Sequence, residues 1–343
     1  MTVDVASLDL ETLLPYLEEN VEGFKGPAKI KKFSGGQSNP TFGITTPTGI
    51  YVLRCQPPGR LLKSAHAVDR EYRVMAALAD TEVPVPKVLH LCEDRELIGS
   101  MFYIMEFCDG RIFWDASLPE LDEGERGRIF DEMIRVLAVL HRIDPDSVGL
   151  ADFGRPGNYF QRQYDRWCAQ YRASELERIG PMEELIGWLA GNIPEDDGRV
   201  SLVHGDFRLD NFIFHREQPR AIALLDWELS TLGHPFADLG YLCMLMRLPQ
   251  HVGRMSGLRG LDLASLGIPG EAEYVARYCE LSDLDGIDNF GFYVAFSFFR
   301  LASIIQGVAR RAKEGNASNR DAAAVGRFVG PMAEYALEAI LHS

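Results

Sequence analysis

Apolar and polar positions along this chain follow two different periods, and the change from one to the other divides it. Leu10, Leu13, Leu14 and Leu17 recur at helical spacing and predict an opening amphipathic helix capped by Ser7 or Asp9. Short extended segments follow at 29–33, 41–45 and 50–55, with Thr46-Pro47-Thr48-Gly49 as the turn between the last two. From 65 to 79, Val68, Tyr72, Met75, Ala76 and Ala79 step by threes and fours and predict a helix. Val83-Pro84-Val85-Pro86 then forces an extended stop before two further strands near 87–92 and 101–107. Beyond residue 108 helical periodicity dominates, at 122–142, 158–172, 181–190, up to 247, and at 271–281, 287–313 and 319–341. Three apolar strand-like runs interrupt it at 202–203, 212–214 and 221–225. The pattern predicts an α+β chain with a small N-terminal lobe built on a sheet, 1–107, and a larger, mainly helical lobe, 108–343.

Composition narrows the function. At 343 residues the chain is long enough for two lobes, and 46% hydrophobic with 25% charged residues is a globular balance. A formal charge of −15 argues against non-specific binding to nucleic acid or an anionic membrane, so a phosphate-bearing ligand needs local donors or a metal. Six scattered cysteines without a C-x-x-C pair suggest neither a disulfide framework nor a zinc site. Met1 to Leu10 lacks a basic segment followed by an apolar core, and the protein is expected to stay in the cytoplasm. The most apolar long stretch, 290–308, is interrupted by Arg300 and Gln306 and reads as a core helix.

The chemistry concentrates in Leu202 to Phe214, L-V-H-G-D-F-R-L-D-N-F-I-F, where two apolar runs flank a polar loop. Asp206 and Asn211 have four residues between them, the spacing at which phosphotransferases place a proton-accepting carboxylate and a metal-holding amide; a polar turn between strands is the alternative. Ser34-Gly35-Gly36-Gln37-Ser38-Asn39 lies between strands and offers backbone amides to an anion, although a plain hairpin turn uses the same residues. Arg54 ends the next strand and could pair with Glu71 of the following helix, or both could simply be solvated. Met105-Glu106-Phe107-Cys108-Asp109-Gly110 leaves the last strand at a turn and could serve as a hinge facing an adenine ring. The run 221–225 ends in Asp226-Trp227-Glu228, carboxylates at a sheet edge where a metal can be held. Asp238 is expected to cap the helix that contains it or brace it against the 202–214 loop, and His141 to pack or cap. Neither G-x-S-x-G nor the Walker G-x-x-x-x-G-K-[ST] pattern occurs.

His204-Gly205-Asp206-Phe207-Arg208-Leu209-Asp210-Asn211 followed by Leu225-Asp226-Trp227-Glu228 resembles the aminoglycoside phosphotransferase and choline kinase group. Val52-Leu53-Arg54, Ser64 to Tyr72 and Gly233-His234-Pro235 are similar, more narrowly, to the kinase-like domains fused to some acyl-CoA dehydrogenases, and this likeness covers nearly the whole chain. The resemblance implies a two-lobe protein-kinase-like fold that moves the γ-phosphate of ATP, with Mg²⁺, to a hydroxyl of a small molecule, a hydroxyacyl-CoA or related metabolite ahead of an aminoglycoside. It implies Asp206 as catalytic base, Asn211 and Asp226 as Mg²⁺ ligands, and Ser34, Gly35, Gly36, Gln37 and Ser38 over the phosphates. Arg54 would contact phosphate and pair with Glu71, and Met105, Glu106 and Phe107 would line the adenine site. Arg54 departs from the lysine of most kinases. A nucleotide-binding pseudokinase acting as scaffold or sensor is the alternative, and a protein kinase ranks last because Asp-Trp-Glu replaces Asp-Phe-Gly and no A-P-E segment follows. Oligomeric state and the acceptor's identity are not readable from the sequence.

Overall fold

The computed structural model describes residues 8–33, 39–57, 66–250, 255–314 and 325–341. The expected phosphate loop Ser34, Gly35, Gly36, Gln37 and Ser38, and the start of the expected final helix, lie outside them. The chain forms two compact units, one of Met1–Ile112, Val148–Leu150 and Asn211–Ser230, the other of Phe113–Ser147, Ala151–Asp210 and Thr231–Ser343. The fold class is α+β, with an antiparallel sheet towards the N-terminus and a mainly helical C-terminal part.

In the first unit, helix α1 (Leu10–Asn20) is capped by Asp9, whose Oδ1 accepts from the Thr12 amide at 3.2 Å, and it buries Leu13 and Leu17. Strands β1 (Lys29–Lys32), β2 (Thr41–Thr46), β3 (Gly49–Cys55), β4 (Val88–Cys92) and β5 (Phe102–Glu106) make one sheet in the order β1-β2-β3-β5-β4. Every neighbouring pair is antiparallel, and the register sets Arg54 opposite Thr41 on one side and Tyr103 on the other. Phe42, Ile44, Leu53, Phe102 and Ile104 point to one face and close a core with α1. Helix α2 (Val68–Leu78) buries Val68, Val74, Met75 and Leu78 together with one acid, Glu71. Hydrophobic alternation accounts for the apolar residues; the buried Glu71 needs a partner.

The same unit holds an antiparallel hairpin, β6 (Phe212–Phe214) and β7 (Ala221–Leu224), whose register pairs Phe212 with Leu224. The Leu225 amide donates to the Asn211 carbonyl at 2.8 Å, and the Leu224 amide to that of Pro84 at 2.7 Å. Arg111 bridges to Phe214 at the other end, through backbone bonds of 2.7 and 2.8 Å. That close approach requires Gly110: a Cβ there would meet the Phe214 carbonyl oxygen at 2.2 Å.

The second unit is mainly helical. Helix α3 (Glu123–Arg142) is capped by Asp122 and buries Ile129, Met133, Leu137 and Leu140, the stripe its periodicity predicts. It is followed by α4 (Tyr159–Ser174) and α5 (Gly180–Asn192). Later come α6 (Phe236–Met246), the short α7 (Leu263–Leu266), α8 (Glu271–Leu281), α9 (Phe290–Lys313) and a last helix, Val329–Leu341. Ser201–Val203 pairs antiparallel with Thr231–Gly233, a strand the sequence reading misses because three residues carry too little period to detect. Among the described residues α9 alone is long and apolar enough to cross a membrane, but most of its apolar stretch is buried within the protein. It packs against α4, α6 and the last helix, its Phe292 and Phe296 meeting Phe160 edge-on at 5.4 Å. All six cysteines are unpaired thiols.

Candidate functional site

In the first unit a charged cluster forms where strand, helix and hairpin end meet. Arg54 reaches from the end of β3; its Nη2 donates to Asp226 Oδ1 at 2.7 Å and to Glu71 Oε1 at 3.3 Å. Its Nε lies 2.8 Å from Glu71 Oε2, a charge contact without hydrogen-bond alignment. Glu71 is 1% exposed and takes two further bonds, from Asn39 Nδ2 at 2.6 Å and from the Tyr103 hydroxyl at 3.1 Å. His66 Nδ1 in turn lies 3.1 Å from Asn39 Oδ1. Arg54 and Glu71 are therefore a buried pair rather than two solvated side chains.

One guanidinium serves two carboxylates, and the proton affinities follow. Burial would lower that of Arg54, but Glu71, Tyr103, Asp226 and Glu228 outweigh it, and the guanidinium is held above its ordinary value. Burial raises the Glu71 carboxyl, Arg54 pulls it down and Asp226 pushes it up again, with a net upward direction. Carboxylate oxygens of Glu71, Asp226 and Glu228 lie within 4.8 Å of one another. Asp226 has a left-handed backbone (φ 68°) and its side chain is 29% exposed, accessible to a ligand. Because β6 and β7 register Phe212 against Leu224, Asn211 and Asp226 emerge from the same hairpin end. An amide and a carboxylate are hard oxygen donors of the kind Mg²⁺ takes, so the residues fit that ion.

Of the expected adenine-facing residues, Met105 is buried, Glu106 is exposed with its carboxylate accepting from the Lys87 amide at 2.9 Å, and Phe107 is exposed. Phe107 stacks on Phe33, ring centroids 6.4 Å apart and planes 9° from parallel, a contact that distance along the sequence conceals.

In the second unit the loop before Asn211 is held from its backbone. Asp238, 1% exposed in α6, accepts from the His204 amide at 2.6 Å and the Gly205 amide at 2.8 Å. The expected brace is therefore present. His141 Nε2 lies 3.4 Å from Asp238 and its Nδ1 2.7 Å from the Tyr278 hydroxyl, so His141 does more than pack or cap. Burial would raise the Asp238 carboxyl, but His141, His204 and the Gly205 amide outweigh it and hold it below its ordinary value. Asp206 accepts from the Tyr241 hydroxyl at 2.7 Å, and Arg208 Nε stands 3.2 Å from Asp206 and 3.3 Å from Asp210. Tyr241 and Tyr278 escape sequence reading because each sits in a helix whose period explains it as core. Arg300 is visible in the sequence as an interruption of the apolar 290–308 stretch, but with no role attached.

Comparison with known proteins agrees with this architecture. The model of the phosphotransferase enzyme family matches residues 29–280. A Ralstonia eutropha protein described as a candidate aminoglycoside phosphotransferase is 48% identical, with a TM-score of 0.89 over 98% of this chain and 99% of that one. Spectinomycin phosphotransferase shares the fold at 13% identity, TM-score 0.64, covering 96% of this chain and 98% of that one. Mouse acyl-CoA dehydrogenase family member 10 is 48% identical over 91% of this chain but 29% of its own length. Human acyl-CoA dehydrogenase family member 11 is 39% identical over 96% of this chain and 43% of its own. The chain thus spans less than half the length of these curated relatives. It belongs to the phosphotransferase enzyme family, with the protein-kinase-like fold. Within that family its likeness is to the kinase-like part of the acyl-CoA dehydrogenase family members 10 and 11.

Proposed function

We propose that the protein is an ATP- and Mg²⁺-dependent small-molecule kinase that moves the γ-phosphate to an acceptor hydroxyl. The observation that carries the reading is the emergence of Asn211 and Asp226 from one hairpin end, with Asp226 held by the Arg54–Glu71 pair. Phosphoryl transfer needs positioned groups and charge neutralisation rather than covalent chemistry from the protein. Asn211 and Asp226 would hold the metal, which when bound neutralises phosphate charge. Arg54 would contact phosphate, and Met105, Glu106 and Phe107 would line the adenine; the expected cover over the phosphates, Ser34 to Ser38, lies outside the described residues. Asp206 accepts the acceptor's hydroxyl proton. A cytoplasmic location is part of the same proposal.

The acceptor we infer is a hydroxylated acyl thioester or related metabolite, ahead of an aminoglycoside. A narrow cavity of about 50 Å³ in the second unit is walled by Phe113, Phe130, Met133, Leu242 and Leu258, with Arg208 and Asp210 as its charged side. Its wall can touch an apolar group of a few atoms, and Asp210 adds a carboxylate. The names of the curated relatives point to the acyl compound. The test is a panel of hydroxyacyl thioesters, free hydroxy acids and aminoglycosides with ATP and Mg²⁺, read by mass detection of phosphorylated product. Transfer to the acyl compounds supports the assignment, and transfer to aminoglycosides alone removes it. Arg54, in place of lysine, is the observation favouring a pseudokinase; nucleotide binding without metal dependence or transfer would be its signature.

A further inference from the structure

Arg300 is the only charged residue between Phe290 and Ala309, in a helix otherwise committed to the core. Placing a guanidinium there costs stability unless its charge and donors are used. Among the described residues no carboxylate pairs with it. Its Nη2 donates to the Gly205 carbonyl at 2.8 Å, and its guanidinium carbon lies 5.8 Å from the centre of the Tyr241 ring and 5.7 Å from that of Trp167.

Two of these contacts, with Gly205 and Tyr241, lead to Asp206. Gly205, with φ at +84°, immediately precedes it, and the flanking groups of Gly205 are gripped in opposite senses: Asp238 accepts from its N–H at 2.8 Å while Arg300 donates to its C=O at 2.8 Å. The Tyr241 ring beside Arg300 carries the hydroxyl that donates to Asp206 Oδ1 at 2.7 Å. Asp238 therefore fixes the loop backbone from one side, Arg300 from the other, and Tyr241 at Oδ1, opposite Arg208 at Oδ2, fixes the rotation of the carboxylate. A carboxylate on Arg300 would neutralise it, and none pairs with it among the described residues; the cation that meets Asp206 directly is Arg208, whose Nε stands 3.2 Å from Oδ2.

We propose that Arg300 and Tyr241 are positioning residues for the Asp206 carboxylate, Arg300 acting through the Gly205 carbonyl and the Tyr241 ring, and Tyr241 through its hydroxyl. The inference rests on the kinase reading only in its kinetic arm. Misplacement of a reacting group by about 1 Å can cost on the order of a hundredfold in rate.

The experiment uses the full chain and compares wild type with Tyr241→Phe, which keeps the ring, Arg300→Gln, and Arg300→Lys, which keeps a donor and a cation. The probes are Mg²⁺-ATP, with water as acceptor, and backbone hydrogen exchange over residues 202–214. Expected are a fall in kcat of about ten- to a hundredfold in Tyr241→Phe and Arg300→Gln with KM for ATP unchanged, partial recovery in Arg300→Lys, and faster loop exchange in Arg300→Gln alone. Unchanged kcat in Tyr241→Phe, or unchanged loop exchange in a folded Arg300→Gln, overturns the proposal. Should wild type turn over no ATP, the kinase reading fails, and loop exchange alone decides whether Arg300 holds the backbone.

Discussion

Arg54 stands where a lysine would offer one point charge: its Nη2 reaches both Asp226 Oδ1 and Glu71 Oε1, and its planar fork adds Nε 2.8 Å from Glu71 Oε2. A lysine ammonium could meet both carboxylates from one nitrogen but would lose that second nitrogen beside Glu71. Arg54→Lys is accordingly expected to lose about 1–3 kcal/mol of stability in urea unfolding and to weaken ATP binding. Full retention of both would show the fork to be dispensable. Asp238 makes a pH prediction. Its folded pKa lies below its unfolded one, so its stabilisation is complete above about pH 4 and is lost as pH falls through the folded value. Asp238→Asn should therefore cost about 3 kcal/mol near neutrality, with the gap to wild type narrowing as pH drops below 4. A gap independent of pH would mean that the charge is not what holds the loop. Residue-level reading found Arg54, Glu71, Asp206, Asn211, Asp226 and Asp238 because each is a polar residue at an element boundary or within a motif. It left the Arg54–Glu71 pairing open, since helix and strand positions do not reveal that Asn39 and Tyr103 complete the burial of Glu71.

At the scale of elements, local period was enough for strands β1 to β5 and for α1, α3 and α8, whose apolar stripes are long and regular. It was not enough for Thr231–Gly233 or for α7, which are too short to show a period. The grouping of 211–230 with the N-terminal unit was equally hidden, because it depends on the Pro84 and Arg111 backbone bonds rather than on sequence continuity. The hairpin's tether gives a sharp test. Gly110→Ala places a methyl 2.2 Å from the Phe214 carbonyl oxygen and should destabilise by about 2–3 kcal/mol. Gly180→Ala, in α5 with nothing within 4 Å of the added carbon, should be neutral or stabilising by up to about 1 kcal/mol. Comparable unfolding midpoints for the two variants would contradict the tight approach of Gly110 to β6.

For the whole molecule, the family, the fold class and the chemistry of the 202–214 loop converge on phosphoryl transfer. The carboxylates clustered around Asp226 are donors a divalent ion takes, and chelation of Mg²⁺ should abolish transfer and restoration of the ion should return it. The central claim is that Asp206 takes the acceptor proton while the nucleotide is held by residues of the first unit, and Asp206→Asn separates those roles with almost no change of shape. Single-turnover transfer from Mg²⁺-ATP to an accepted hydroxyl compound, measured beside ATP affinity on the same preparations, is the direct test. The account predicts a rate loss of about a hundredfold or more with ATP affinity within about twofold of wild type. Undiminished transfer by Asp206→Asn would contradict it.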